Sequence, residues 1–424
     1  MSPAPRHQQD PIAWHGLLAL AFFGIVCIRL TIPHNLYFDE VHYVPAARML
    51  MTLARPENAE HPLLGKELIA LGMVLFGDNA LGWRIMPALF GTLGLFASMR
   101  AMWFASGSRF ASIATGIFIA TAFPLFIQSR IAMLDVFMVS LTLVALWAVA
   151  AAVRENESGR WRLALAGIAF GLAMAAKWNA VPLAMVPGVA FAVIRIKQAG
   201  WRFLTATRCA PVAGIALWEA ALWLGVVPLV TYWLTYIPAM LYAHDPVAPL
   251  GFVSLTRQML HLQNEVVKPH PYQSVWYQWI FDWRAIWYLY ENVDGAQRGI
   301  IMIGNPLTMM AGLAALVWVG VYGLSEGRRD ALALFVLYVV ALGSWIASTK
   351  PVQFYYHYLL PSCFMLAALA LALAEWWKNG RKLIPLLVLA GSMAVFVWFW
   401  PIISAAPLAG PQSFNHWMLI DSWR

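Results

Sequence analysis

Apolar and polar positions along this chain of 424 residues alternate on a long scale. Runs of roughly 20 mostly apolar residues, the length that crosses bilayer hydrocarbon, are separated by polar segments. About eleven such runs can be drawn, and each predicts an α-helix: 13–32, 83–104, 110–127, 132–153, 162–177, 179–195, 211–233, 299–322, 331–348, 356–376 and 383–402. Most gaps are short turns, but two are long, at 33–82 and 234–298. In the first long gap, LLGKELIALGMVLFG follows His61-Pro62 and places Leu64, Leu68, Leu71 and Leu75 on one helix face. Pro62 suits the first helical turn, and Gly77-Asp78-Asn79 ends the helix. At about 15 residues it is too short to span comfortably, which predicts a helix lying along the interface. In the second gap, Trp276, Trp279, Trp283, Trp287 and Tyr290 recur at three- or four-residue steps, predicting an aromatic stripe on an amphipathic helix. There is no tandem repeat, and the pattern reads as one all-α, membrane-embedded domain over 1–424.

Composition agrees with that reading. With 61% hydrophobic and 11% charged residues, the chain lies well outside the balance of a soluble domain. No small-residue cleavage site follows the first run, which reads as a retained helix. Cys27, Cys209 and Cys363 fall in or beside apolar runs without a CxxC, so they predict neither a disulfide framework nor a zinc site. The net charge of +8 follows from basic loops and needs no nucleic acid to explain it. Those loops, SGSR (106–109), RENESGRWR (154–162), RIKQAGWRFLTATR (195–208), SEGRRD (325–330) and EWWKNGRK (375–382), fall on one side when the N-terminus is inside. Both long loops and two short ones, around 128–135 and 348–358, then lie outside, with most of the acidic residues.

Candidate chemistry therefore gathers at the outer ends of spans. Asp39-Glu40 directly follows the first span, where an ionised carboxylate needs a reason to exist. Asp39 is either an N-cap for the helix starting at Glu40 or a general base at the membrane surface. Arg130 and Asp135 flank the turn between the third and fourth spans, as a buried charge pair or a ligand site. Lys177 ends the fifth span, either as a snorkelling charge or as a ligand. Lys350, Tyr355, Tyr356 and His357 occupy the next outer turn, where an aromatic belt accounts for the tyrosines. Several cations at one interface suit a phosphate, which Arg binds bidentately and Lys meets as a point charge. No GxxxxGK(S/T) or GxGxxG follows a strand, and there is no HExxH, so no nucleotide site is predicted. A phosphate-bearing donor dissolved in the membrane fits instead.

The blocks YFDE (37–40), HPLLGKELIALG (61–72), WRIMPALFGTL (83–93), SRIAMLDVFM (129–138), AAKWNAV (175–181), NEVVKPHPYQSVWYQW (264–279) and YYHYLLP (355–361) resemble the protein O-mannosyltransferase family. More widely they are similar to the GT-C type membrane glycosyltransferases that use polyprenyl-phosphate sugars. Two departures stand out. Leu63 replaces the second proline of the usual HPPLGK, and the loop 234–298 is too short for the β-trefoil (MIR) domain of eukaryotic members, as in bacterial ones. The resemblance implies transfer of mannose from polyprenyl-phosphate-mannose to a Ser or Thr hydroxyl, with inversion. It implies an inner cell membrane location, an extracytoplasmic site, and secreted or membrane acceptor proteins met in the vicinity of the translocon. The family's aspartate matches Asp39, with Glu40 orienting the acceptor. Arg130, Lys177, Lys350, Tyr356 and His357 are candidates for the donor phosphate, His61 and Lys66 for the acceptor side, and His270, Tyr272 and Trp276 for a flap. Two neighbouring acids leave a divalent cation open, and no interface for an oligomer is legible.

Two other readings use the same residues. A lipid-directed transferase, resembling the aminoarabinose transferase of lipid A, keeps the fold and changes the acceptor. A transporter would place its charges near the bilayer midplane and show inverted repeats, neither of which is seen.

Overall fold

The computed structural model describes residues 9–265 and 269–424. In chain order its helices are α1 (Ile12–Cys27), α2 (Glu40–Met51), α3 (Leu64–Phe76), α4 (Ala80–Ser106), α5 (Arg109–Thr121), α6 (Pro124–Gln128), α7 (Leu134–Arg154), α8 (Gly159–Ala176), α9 (Val181–Ala199), α10 (Leu217–Leu241), α11 (Phe252–Asn264), α12 (Trp276–Ile280), α13 (Pro306–Ser325), α14 (Arg329–Ile346), α15 (Leu359–Lys378) and α16 (Leu383–Ile403). Among the described residues 8 helices are long and apolar enough to cross a membrane, and α1 and α5 are shorter apolar helices. Each predicted run holds a helix, although the run predicted from 299 begins as a strand and turns helical only at Pro306.

Polar caps set several of these ends. The Asn79 side chain accepts from the N–H groups of Leu81 and Gly82 at 2.9 and 3.2 Å and starts α4. Asn305 caps α13 in the same way and also donates to the carbonyls of Thr121 and Ser392, joining three helices at one point. The centre of the bundle is α15, with 83% of its apolar window buried, against 28% for α16 and α10, whose side chains face outward.

In α3 the predicted leucine face divides: Leu71 and Leu75 are exposed, Leu64 and Leu68 are partly buried against the core, and Gly65, Lys66, Ile69, Gly72 and Met73 are buried. Lipid is as apolar as leucine, so close packing rather than hydrophobicity selects the inner face. At Gly72 an added Cβ would lie 2.3 Å from the Gly82 carbonyl, so only glycine lets α3 and α4 approach this closely. One expectation needs correction, the aromatic stripe on a helix. Only Trp276 and Trp279 lie on a helix, the short α12; Trp287 and Tyr290 lie on strand β1 (Ile286–Val293), antiparallel to β2 (Ala296–Met302). The fold is the expected helical membrane architecture, with one added hairpin. Asp294 and Gly295 turn it with φ of 49° and 73°, the left-handed pair that a two-residue hairpin loop requires. The C-terminal tail seals this hairpin, as Trp287 donates to the Trp423 carbonyl at 2.9 Å and Arg298 to that of Ala405 at 2.8 Å.

Candidate active site

The segment between α1 and α2 is held from behind by one side chain. Arg84, on α4 and fully buried, forms a bidentate pair with Glu40 at 2.8 Å for both contacts. Its remaining N–H groups donate to the carbonyls of Leu30, Pro33 and Asn35 at 3.2, 2.6 and 3.0 Å. Glu40 also accepts from the N–H groups of Ala132 (3.0 Å) and Tyr37 (3.3 Å). Its carboxylate is thus fully occupied inside the protein and does not point toward an acceptor, contrary to expectation. The Asp39-Glu40 pair cannot jointly chelate a cation either, since both Glu40 oxygens are taken. Among the described residues no group of three His, Cys, Asp or Glu side chains is arranged to hold a metal ion.

Asp39 has the opposite surroundings. It occupies the N-cap position of α2, yet its side chain makes no capping hydrogen bond. Phe38 before it takes a φ of 50°, an unfavourable conformation for an aromatic residue, and stacks on Tyr288 at 4.1 Å. This turn aims Asp39 away from Glu40. Burial lifts the Asp39 carboxyl to about 6, against the opposing pull of Lys177, His42 and Lys350, with Asp135 adding to the rise. Asp39 therefore shares its surroundings with Lys177 and Lys350.

Lys177 breaks the chain between α8 and α9 in an extended conformation and binds both oxygens of Asp135 at 2.9 and 2.8 Å. Its ammonium lies 5.2 Å from the centre of the Tyr356 ring, and Phe38 meets that ring edge-on at 6.3 Å. Lys350 has no hydrogen-bonding partner for its ammonium among the described residues. Burial lowers its pKa to about 8, with Lys177 adding to the fall and Asp135, Asp39 and Glu60 opposing it. His357 is stacked on Trp345 at 3.7 Å, and its Nδ1 accepts from the Phe354 N–H at 3.1 Å. That contact assigns the proton to Nε2, which is buried without a partner.

His61 belongs to the same group, edge-on to Tyr43 at 5.9 Å. Burial, then Lys177, Lys350, Lys66 and His42, hold its pKa well below the usual histidine range, so the ring is neutral. Lys66 faces the other way. Its ammonium donates to the carbonyls of Glu57, Asn58 and His61, shaping that loop instead of facing an acceptor. Arg130 also departs from expectation. It is not paired with Asp135, which Lys177 takes; it donates to the carbonyls of Val26, Ile28 and Arg29 at the end of α1 and to that of Ser404. Those bonds satisfy carbonyls left free at a helix end and leave Arg130 apart from the Asp39 group.

The predicted flap residues lie beyond Lys350. His270 is exposed, accepts from the Tyr272 N–H through Nδ1 at 3.2 Å, and meets Phe354 edge-on at 5.1 Å. Trp276 is half-buried at the start of α12. Residues 266–268 of the NEVVKPHPYQSVWYQW block lie outside the described residues. The sequence reading missed Arg84, although an arginine inside an apolar helix is itself a signal of a buried partner.

Comparison with known proteins follows this geometry. Residues 60–223 match a family profile described as dolichyl-phosphate-mannose-protein mannosyltransferase, and residues 250–423 match one described as the C-terminal four-transmembrane region of protein O-mannosyltransferase. The chain is 26% identical to a polyprenol-phosphate-mannose–protein mannosyltransferase of Mycolicibacterium smegmatis, over 91% of this chain and 87% of the relative. It is 25% identical to the one from Corynebacterium glutamicum, over 85% and 81%. Its fold is similar to the Saccharomyces cerevisiae Pmt1–Pmt2 complex bound to its sugar donor, with a TM-score of 0.83 at 13% identity, covering 99% of this chain and 93% of that one. The Cupriavidus metallidurans ArnT bound to undecaprenyl phosphate is more distant, at 0.61 and 17% identity over 90% and 64%. These neighbours are GT-C membrane glycosyltransferases. With two consecutive matches over residues 60–223 and 250–423, a helical membrane fold and an acidic motif after the first apolar helix, the chain belongs to the protein O-mannosyltransferase family.

Proposed function

We propose that the protein transfers mannose from a polyprenyl-phosphate-mannose donor to Ser or Thr hydroxyls of proteins, at the extracytoplasmic face of the cell membrane. Relatives carrying the name of that activity match 91% of the chain and support the reading. The observation that carries it is Asp39, a recessed carboxylate without a hydrogen-bond partner among the described residues, close enough to two lysines to feel their charge.

The chemistry follows from those groups. Asp39 takes the proton of the acceptor hydroxyl as its oxygen attacks the anomeric carbon, and the bond from that carbon to the phosphate oxygen breaks. Attack opposite the leaving group inverts the configuration. A base poised near 6 is ionised at neutral pH and still accepts a proton readily. The phosphate leaves as a stable anion and needs charge stabilisation rather than a proton. Among the described residues Lys350 has an ammonium and His357 an Nε2–H without a partner, and both face the phosphate, while Lys177, already bound to Asp135, adds its charge from beside Tyr356. His61 borders the same space, while Glu40, Lys66 and Arg130 act by holding backbone in place.

The test is transfer of labelled mannose from a polyprenyl carrier to a Ser/Thr-containing peptide by membranes containing the protein. Labelled peptide is the expected result. The likeness to ArnT keeps one second reading, a lipid acceptor, and label appearing only in lipid would favour it.

A further inference from the structure

A polar cleft of about 520 Å³ opens between the segment 270–284 and the turn 350–353. Its walls include His270, Gln273, Gln278, Arg284, Lys350 and Gln353, and among the described residues no acidic one lines it. The two walls are joined by one backbone hydrogen bond, from the Ser274 N–H to the Gln353 carbonyl at 2.8 Å. Arg284 is half-buried and donates one N–H to the Pro271 carbonyl at 2.7 Å; the rest of its guanidinium has no partner among the described residues. Lys350 belongs to both places, lining the cleft and lying within electrostatic reach of Asp39. Lys350 thus links the cleft to the surroundings of Asp39.

We infer that this cleft is an acceptor subsite in which Arg284 binds a carboxylate side chain of the acceptor polypeptide, near the hydroxyl that receives the sugar. The inference rests on the proposed protein acceptor. An arginine with free N–H groups suits a planar carboxylate, and a wall without acids gives that carboxylate nothing to repel it. The glutamines suit an extended peptide, whose amides need both donors and acceptors. A polyprenyl tail is a poorer occupant, because polar side chains dominate this lining and it opens to the outside.

The experiment compares Ser/Thr peptides that differ only in Asp against Asn, scanned through several positions on each side of the target hydroxyl. At one or two positions the Asp peptide should show a KM about three- to tenfold lower. In Arg284→Gln the Asp-to-Asn ratio should fall to about one, and in Arg284→Glu a Lys peptide should become the preferred substrate. Absence of any Asp preference in the wild-type protein, with the Asn peptides still receiving mannose, would overturn the subsite and leave the proposed function standing. A rise in the KM for the lipid donor in Arg284→Gln, with the Asp-to-Asn ratio unchanged, would assign the arginine to the donor phosphate and overturn it too. Failure of every peptide to accept mannose would overturn both readings.

Discussion

Asp39 and Glu40 are neighbours in sequence, yet the fold treats them as opposites. Glu40 is sealed, with an arginine and two backbone donors satisfying both oxygens. The Asp39 carboxylate has no hydrogen-bond partner among the described residues and lies near two cations. The same division runs through the basic residues: Arg84, Lys66 and Arg130 spend their donors on backbone carbonyls, whereas Lys350 spends none. A charge whose valences are filled by the protein shapes the site, and one left unfilled is available to a substrate.

The comparison breaks most sharply through Asp39→Asn. The change is nearly isosteric and removes only the base, so mannosyl transfer should fall by about 10²–10⁴-fold while the thermal transition in detergent stays in place. Arg84→Met should do the reverse. Leaving Glu40 buried and unpaired costs about 3–5 kcal/mol, so the yield of folded protein and its Tm should drop before any activity is measured. Equal Tm values for the two variants would erase the distinction between filled and unfilled charges. Lys350→Gln should lower transfer by about ten- to a hundredfold, with little change in Tm. The smallest effect is on pH dependence. Transfer should rise as Asp39 loses its proton near pH 6 and fall as Lys350 loses its own near pH 8. In Lys350→Arg the alkaline fall should move upward, because arginine stays charged.

Much of this was legible in the sequence, and the rest failed for definable reasons. Apolar length located the helices, since bilayer thickness fixes it. Asp39 was legible because a carboxylate at the end of a span is costly. The partners of Arg130, carbonyls at 26–29 and at 404, were not legible, because they are set by tertiary contacts that no local pattern reveals. The hairpin was misread because Trp276 to Tyr290 happen to recur at helical spacing. The competing signal, Asp294-Gly295, lay four residues beyond the last of those aromatics. The leucines of α3 were seen correctly as a face, but in lipid a leucine face does not say which way is inward.

The bonds that Arg84 makes to Glu40 and to the carbonyls at 30, 33 and 35 have a consequence for how the acidic segment moves. They pin the acidic segment to a spanning helix at several points, so that segment moves only as α4 moves. One side chain thus couples the position of the acidic segment to that of α4. Under the proposed function, Asp39, which directly precedes the pinned Glu40, would meet every acceptor from one fixed position.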